Sequence, residues 1–200
     1  MGRVFLVGPR ASGKTTIGGM LAEALGTPFL DADGILQREA GESVAGIVAR
    51  EGWEGFRLRE AATLADIVSK GPADAVVATG GGIVLNEGNR RLMRASGRVF
   101  FLDVPPEELR RRLGADPLAA QRPPLAGGDP VDEVALVLAE RLPLYRAACH
   151  HAVDGAAPAE AVCLRIRELL ARPAPRGPDG PRGAGRKKVS RLRDDLRKTH

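Results

Sequence analysis

The sequence predicts an α/β fold in which helices cover a parallel β-sheet. Two observations support this fold class. Short runs of apolar and β-branched residues alternate with longer segments of helical periodicity, as in chains whose strands are joined by helical crossovers. The composition, 44% hydrophobic over 200 residues, is enough to bury one core of ordinary size. The predicted strands are residues 4–7, 29–31, 75–78, 99–103 and 151–154.

The predicted helices follow from the spacing of apolar residues. The first begins at a glycine-rich loop, carries Ile17, Leu21 and Leu25 on one face, and ends at Gly26. An apolar face of this kind packs against a sheet and leaves the opposite face to solvent. Later helices are predicted over residues 55–69, 86–96, 106–113, 131–148 and 159–171.

The basic character of the chain is confined to its C-terminal tail. Residues 1–171 hold 20 Lys+Arg and 22 Asp+Glu, whereas residues 172–200 hold 10 and 3, so the net charge of +5 comes from the tail. This tail is rich in Pro and Gly and cannot bury enough apolar surface to offset its ordering entropy, so we expect it to be disordered. It has no aromatic residues for stacking on bases, which argues against a nucleic-acid partner and favours a solubilising appendage.

A second segment without helical or strand periodicity lies inside the predicted domain of residues 1–171. Residues 115–129 are rich in Ala, Pro and Gly around Arg122, and they connect two predicted helices. Loops of this length inside a compact domain are usually functional. We interpret this segment as a mobile lid.

Composition also restricts the compartment and the class of protein. No apolar run approaches the ~18 residues of a membrane span, and the N-terminus lacks a signal-peptide pattern. The two cysteines, Cys149 and Cys163, have no His, Asp or Glu set at metal-ligand spacing around them. We therefore expect a cytoplasmic protein without a membrane partner.

The glycine-rich loop matches the pattern G-x-x-x-x-G-K-[ST] and lies between a predicted strand and a predicted helix. In this context the backbone N–H groups and the helix N-terminus bind phosphate oxygens, Lys14 reaches the β- and γ-phosphates, and the Thr15 hydroxyl can bind Mg²⁺. The loop therefore predicts nucleotide binding. The predicted ATP-binding residues here are Gly8, Pro9, Arg10, Ala11, Ser12, Gly13, Lys14, Thr15 and Thr16.

Three further groups are positioned to bind an acceptor. Asp31 and Asp33 end the second predicted strand, where alternate residues face the same side, so Asp31 suits the Mg²⁺ shell and Asp33 the acceptor hydroxyl. Arg57 and Glu60 are three apart on one helix face, where the carboxylate can hold the guanidinium for a ligand carboxylate. The glycines at residues 80–82 follow a predicted strand and allow close backbone approach to a ligand. Each group alone also fits a structural role: a solvated turn, an exposed ion pair or a flexible turn.

Taken together, the motifs resemble those of the shikimate kinases, in the subgroup whose phosphate loop begins Gly-Pro-Arg, over residues 4–171. Six motifs in order carry the resemblance: Gly8-Pro-Arg-Ala-Ser-Gly-Lys-Thr15, Asp31-Ala-Asp33, Phe56-Arg57 with Glu60, Ala78-Thr-Gly-Gly-Gly-Ile83, Arg122-Pro-Pro-Leu125 and Arg141-Leu-Pro-Leu-Tyr-Arg146. Ala11 stands where many relatives have a third glycine, the lid has a second proline, and the tail lies outside the resemblance.

The resemblance implies a three-layer P-loop kinase fold whose five-stranded parallel sheet has the strand order 2-3-1-4-5, with helices on both faces and a lid. It implies ATP-dependent phosphorylation of the 3-hydroxyl of shikimate, giving shikimate 3-phosphate and ADP in aromatic amino-acid biosynthesis. Mg²⁺ would be the cofactor and the protein a monomer.

By the same resemblance, Lys14, Asp33 and Arg122 would be catalytic, and the acceptor would bind within residues 33–60. Further substrate contacts would come from Arg57, Glu60, Gly80, Gly81, Gly82 and Arg141. Arg112 would contact the adenine together with the turn near Pro158, and Arg122 would also bind ATP.

Two other readings remain open. A kinase of gluconate or of a nucleoside monophosphate would share the phosphate loop, although Arg57 and Arg141 suit an acceptor with a carboxylate better than a base. A binding or regulatory protein could keep the fold without the chemistry. Such a protein should have lost one of Lys14, Asp33, Arg122 or Arg141, and all four are present.

Overall fold

The structure is a computed structural model that describes residues 2–115 and 133–172. The predicted lid around Arg122 therefore lies outside the described residues, except for Ala115 at its start. The predicted tail lies outside them too, except for Arg172.

A five-stranded parallel sheet forms the centre of the fold, and its strand order is β2-β3-β1-β4-β5. Every neighbouring pair of strands runs parallel, with β1 pairing to both β3 and β4. This order confirms the expected 2-3-1-4-5 arrangement. The strands are β1 Arg3–Val7, β2 Phe29–Asp31, β3 Val76–Ala78, β4 Gly97–Asp103 and β5 His151–Asp154.

The described residues form seven α-helices, of which α7 follows the last strand, and the helices agree with the sequence except between β2 and β3. The sequence predicted no helix between β2 and residue 55, but α2 and the first half of α3 occupy this region. A kink at Gly52, whose φ is 69°, divides α3. The helices are α1 Lys14–Leu25, α2 Ala32–Ala40, α3 Val44–Lys70, α4 Glu87–Ser96, α5 Pro106–Gly114, α6 Val134–Ala148 and α7 Ala159–Leu170.

Side chains alternate between the two faces of the sheet and give three layers. Phe5 and Val7 of β1 join the core that also contains Tyr145 of α6, whereas Val4 and Leu6 point into the other core. Strand side chains point to alternate faces, and a parallel sheet is covered by helices on both. The first core is closed by α3, α4, α5 and α6, and the second by α1 and α7.

A third, smaller core supports the crossover between β2 and β3. It consists of Leu36 of α2 with Ile47 and Phe56 of α3, and Trp53 packs against it. This cluster places α2 and α3 at the carboxyl end of the sheet, where α/β folds bind ligands. Within the described ranges, no helix is long and apolar enough to cross a membrane.

Candidate active site

The phosphate-binding loop connects β1 to α1 and is held by its own hydrogen bonds. The Lys14 ammonium donates to the Gly8 carbonyl at 2.9 Å, to the Pro9 carbonyl at 2.6 Å and to Ser12 Oγ at 3.2 Å. Ala11 adopts a left-handed backbone with φ of 59°, a conformation that costs an L-residue about 1–2 kcal/mol. The loop therefore keeps the curved shape that a third glycine would allow, at the cost of local strain.

Arg112 of α5 joins the loop to the turn after β5. Its guanidinium donates to the Ala11 carbonyl at 3.4 Å and to the Gly155 carbonyl at 3.0 Å, and it pairs with Glu108 at 2.7 Å. A shallow cavity of about 370 Å³ opens beside it. Besides Arg112, the residues that line this cavity are Ala11, Gly13, Thr16, Ile17, Gly155, Ala157 and Ala159.

A second cavity of about 280 Å³ lies on the other side of the loop, at the carboxyl end of the sheet. It is lined from four directions: the phosphate loop, the start of α2, the middle of α3 and the glycine turn after β3, with Arg141 of α6 closing it. We call it the acceptor pocket. Its polar lining side chains are Arg10, Lys14, Thr15, Thr16, Asp31, Asp33, Arg57, Glu60, Thr79 and Arg141.

The two aspartates reach this pocket by a different route from the predicted one. The prediction that Asp33 ends the second strand was wrong, because β2 ends at Asp31 and Asp33 lies in the first turn of α2. Asp31 is the N-cap of that helix: its Oδ1 accepts from the Gly34 N–H at 3.1 Å, and its Oδ2 accepts from the Thr15 hydroxyl at 3.1 Å. Both carboxylates nevertheless line the acceptor pocket.

Glu60 does not hold Arg57 in an ion pair, contrary to the prediction. Among the ion pairs of the residues the structure describes, none joins Arg57 to Glu60. Glu60 is instead 4% exposed, and its Oε1 is buried without a hydrogen-bond partner in residues 2–115 and 133–172. Burial first, and then the Asp33 charge, raise the pKa of Glu60 to about 8, while Arg57 and Arg141 act in the opposite direction.

Burial also affects the pKa of Arg57. Removal from water lowers it, and the neighbouring Arg141 charge lowers it further. The two guanidiniums face a cavity with the Glu60 carboxyl beside them. An anionic ligand between them would relieve their mutual repulsion.

The glycine turn at residues 80–82 is held from α6. The Tyr145 hydroxyl donates to the Gly81 carbonyl at 2.6 Å, and Arg141 donates to the same oxygen at 3.2 Å. Tyr145 is fully buried and stacks on Phe101 at 5.0 Å, and burial raises its pKa to about 12. The sequence assigned no role to Tyr145. Its position four residues after Arg141 places both side chains on one helix face.

The apolar wall of the pocket comes from α3. Trp53, Phe56 and Val44 line it, and the Trp53 and Phe56 rings make an edge contact at 5.7 Å. The tryptophan therefore lines the same pocket as Arg57. Val44, Phe56 and Thr79 had not been assigned to the site, because apolar residues and a lone threonine carry no ligand signal in a sequence.

The structure thus brings the predicted residues into two adjoining cavities. Arg112 faces the cavity near residues 155–159, and the acceptor pocket holds the predicted metal and acceptor residues with part of the phosphate loop. Arg122 lies outside the described residues. No group of three or more His, Cys, Asp or Glu side chains within the described part of the chain could hold a metal ion.

This fold and these cavities define a P-loop kinase that acts on a small molecule: a phosphate loop opens into a pocket that is lined by carboxyl groups and by two guanidiniums. The family model described as shikimate kinase matches residues 10–171. The chain belongs to the shikimate kinase family, and it is an ATP-dependent phosphotransferase.

Relatives and solved structures agree with the family model. "Shikimate kinase 2" of Syntrophotalea carbinolica is 50% identical over 171 residues, which cover 86% of this chain and 98% of the relative. The shikimate kinase of Oleidesulfovibrio alaskensis is also 50% identical over the same shares of both chains. The solved structure of shikimate kinase from Acinetobacter baumannii in complex with shikimate superposes with a TM-score of 0.79 at 34% identity, covering 86% of this chain and 93% of that one.

Proposed function

We propose that this protein transfers the γ-phosphoryl group of ATP to the 3-hydroxyl of shikimate, with ATP in the phosphate loop and shikimate in the acceptor pocket. One observation supports this proposal most directly: Lys14, Asp33, Arg57 and Arg141 line a single cavity. A phosphoryl donor and a hydroxyl acceptor with a carboxylate need these charges in one place. The product is shikimate 3-phosphate, a precursor in aromatic amino-acid biosynthesis.

The donor side acts through charge and position. The N–H groups of residues 8–15 and the start of α1 bind the phosphate oxygens, and Lys14 exchanges its bonds to the loop carbonyls for bonds to the β- and γ-phosphates. Arg112 lies where the base of the nucleotide would leave the loop. We assign Arg122 to the transferring phosphoryl group by resemblance alone.

The acceptor side orients one hydroxyl toward the γ-phosphorus. Arg57 and Arg141 bind the carboxylate at one end of the ring, and Asp33 accepts a hydrogen bond from the hydroxyl that attacks. Gly80, Gly81 and Gly82 bring the backbone close to the ring because they have no side chains. With both ends held, the acceptor has one hydroxyl in line for transfer.

The residues beside Lys14 fit Mg²⁺. Thr15 Oγ1 and Asp31 Oδ2 are 3.1 Å apart, so a hydroxyl and a carboxylate oxygen lie together at the phosphate loop. Mg²⁺ prefers such oxygen ligands and completes its shell with water and phosphate oxygens. When bound, the ion neutralises charge on the β- and γ-phosphates. We assign Thr15 and Asp31 to this site.

We also propose that the catalytic unit is residues 1–171 of a monomer in the cytoplasm. Described residues of one chain line the acceptor pocket from all of the directions given above, which supports catalysis by a monomer. The cysteines at 149 and 163 are free thiols, which fits a reducing compartment. The basic tail takes no part in this proposal.

A coupled ADP-release assay with shikimate, quinate and gluconate as separate acceptors tests the function. Shikimate should support turnover, and phosphorus-proton correlation spectra of the product should place the phosphate on the 3-hydroxyl. Arg57→Ala should raise the shikimate KM, because it removes a charge-assisted contact of about 1.5–3 kcal/mol. Arg91→Ala is the matched control, since Arg91 is exposed on α4. Turnover with gluconate but not with shikimate would refute the proposal.

A further inference from the structure

The kink in α3 separates two helical segments, and both segments line the acceptor pocket. Gly52 has φ of 69° and ψ of 176°, a backbone conformation that favours glycine. The segment before Gly52 contributes Val44 to the pocket, and the segment after it contributes Trp53, Phe56 and Arg57. The angle between the two segments therefore sets how far these walls of the pocket lie apart.

An ion pair joins the two segments across the kink. Arg59 Nε donates to Glu51 Oε2 at 2.6 Å, and Arg59 Nη2 donates to Glu51 Oε1 at 2.8 Å. Helical ion pairs usually join residues three or four apart, whereas these two are eight apart and lie on opposite sides of Gly52. Two contacts between one guanidinium and one carboxylate also fix the orientation of both groups. We call Glu51 and Arg59 the kink clamp.

Gly55 gives Glu51 the space that this contact needs. A Cβ atom on Gly55 would lie 2.5 Å from the Cβ atom of Glu51 and 3.3 Å from its Oε2, so a side chain at position 55 would displace Glu51. Glycine is otherwise unfavourable inside a helix. By contrast, a Cβ atom on Gly52 would meet no atom within 4 Å. Position 52 therefore needs the backbone freedom of glycine, whereas position 55 needs its small size.

A further arginine connects the kink clamp to the start of α3. Arg50 pairs with Glu51 at 2.8 Å and also with Glu42, the residue before the N-cap Ser43. Isolated surface ion pairs contribute little, but Glu51 is only 22% exposed and binds guanidiniums from both segments. The hydrogen bond from Arg59 lowers the pKa of Glu51, against the effect of burial, so the carboxyl is ionised at neutral pH.

We propose that Glu51 and Arg59 are positioning residues for the acceptor: the kink clamp fixes the angle at Gly52 and thereby holds Arg57 in place across the pocket from Val44. This inference rests on the proposed function for the identity of the acceptor. Both clamp residues are described residues outside the lining of the acceptor pocket. They act through the second segment of α3, on which Arg57 lies two residues before Arg59.

The shikimate KM and the ATP KM of Glu51→Gln and Arg59→Ala test this inference. The shikimate KM should rise about five- to twentyfold, because a displaced Arg57 binds the acceptor less well. The ATP KM should stay within about twofold of the wild-type value, and kcat should change less than the shikimate KM. The matched control is Glu168→Gln, which removes one partner of an exposed Arg–Glu pair on α7 and should change neither KM.

Conservative and double variants distinguish the clamp from a simple loss of charge. Arg59→Lys keeps the charge without the two-pronged contact, so its shikimate KM should lie between those of the wild type and Arg59→Ala. The double variant Glu51→Gln/Arg59→Ala should be within about twofold of the weaker single variant, because the two residues act as one unit. Gly55→Ala should also raise the shikimate KM, although alanine favours a helix.

The fluorescence of Trp53 tests the clamp without any acceptor. Trp53 is the only tryptophan and directly follows Gly52. Quenching by acrylamide should increase about twofold in Glu51→Gln and Arg59→Ala, because a released kink lets the indole move away from Phe56. Glu168→Gln should keep the wild-type quenching constant.

A purely structural ion pair would give different results. The clamp variants would then unfold at lower urea concentrations, while the shikimate KM of the folded protein and the quenching of Trp53 would keep their wild-type values. That result overturns the inference, as would equal rises of the two KM values. Turnover of shikimate by the wild-type protein would still support the proposed function. If shikimate were not the acceptor, the quenching measurement would still decide the inference, so the two failures are distinguishable.

Discussion

The two halves of the active site differ in whether their charged side chains have partners within the described part of the protein. In the phosphate loop, Lys14 donates to two loop carbonyls and to Ser12, so its charge is solvated by its own loop. In the acceptor pocket, Glu60 has a buried oxygen without a partner among the described residues, and Arg57 forms no ion pair with them. The donor half is electrostatically satisfied, whereas the acceptor half holds charges for a ligand to complete.

This difference follows from how each half is built. The phosphate loop consists of consecutive residues whose backbone dipoles point at one place, and such a site works on any nucleotide. The acceptor pocket combines α2, α3, the glycine turn and α6, so it can be shaped for one ligand. Selectivity is stronger where unpaired polar groups penalise a wrong ligand.

Substitutions that remove a charged group from either half should have the largest effect on kcat. Lys14→Ala and Asp33→Asn should each lower kcat by about 10²–10³, since one preorganised contact usually contributes roughly 3–4 kcal/mol. ATP affinity should fall only for Lys14→Ala. Steady-state kinetics and nucleotide binding measure both effects, with Asp66→Asn, on the exposed side of α3, as the control. Turnover of Asp33→Asn within about threefold of wild type would exclude Asp33 from the mechanism.

A methyl group on the glycine turn should affect only the acceptor half. Gly80→Ala places a Cβ 2.4 Å from Glu60 Oε1, whereas a Cβ on Gly19 of α1 would meet no atom within 4 Å. Overpacking of this kind costs typically 1–3 kcal/mol, so the shikimate KM of Gly80→Ala should rise roughly 5- to 150-fold with little change in the ATP KM. Gly19→Ala is the matched control and should leave the shikimate KM near the wild-type value. Equal effects would show that packing against Glu60 is not the cause.

The unfolding free energy should depend on pH because the pKa of Glu60 is raised in the folded protein. Its folded pKa of about 8 lies above the ordinary value of 4.5, so its contribution is present below pH 4.5 and is lost as the pH rises through 8. Relative to Glu60→Gln, the wild-type unfolding free energy should fall between pH 5 and pH 8.5 by on the order of 4 kcal/mol. Urea denaturation at both pH values measures the difference. A difference that does not change with pH would contradict a raised pKa.

Trp53 fluorescence should respond to the acceptor half alone. The indole lines the acceptor pocket and contacts Phe56, so shikimate without nucleotide should cause a saturable intensity change. Gluconate should cause a smaller change, and Arg57→Ala should abolish it at the same concentrations. An unchanged spectrum at shikimate concentrations that saturate turnover would place the acceptor away from α3.

Truncation of the tail should have the smallest effect. Removal of residues 173–200 keeps Arg172, whose carbonyl accepts a hydrogen bond from Arg98 at 2.7 Å. The tail lacks the composition to pack on a core, so kcat and both KM values should stay within about twofold. Kinetic assays of both lengths at equal salt measure this. A tenfold loss would make the tail part of the catalytic unit.

Agreement between sequence and structure was best where a function rests on consecutive residues. The loop from Gly8 to Thr15 and the strands around it were predicted from local pattern, because periodicity and a contiguous motif are local properties. The prediction failed at Asp33. Asp31 is a preferred N-cap residue type, but the apolar residues before it favoured an extended strand, so α2 was missed.

The sequence alone determined the fold class, the phosphate loop and the types of side chain available to an acceptor, because these depend on order and composition. Only the tertiary structure decided the burial of those side chains and which charged groups lie beside them. Glu60 looks like an ordinary helical partner of Arg57 in the sequence, yet α2 and the glycine turn bury it beside Asp33. The cost of charge depends on burial and on neighbours from distant parts of the chain, and no local pattern contains either.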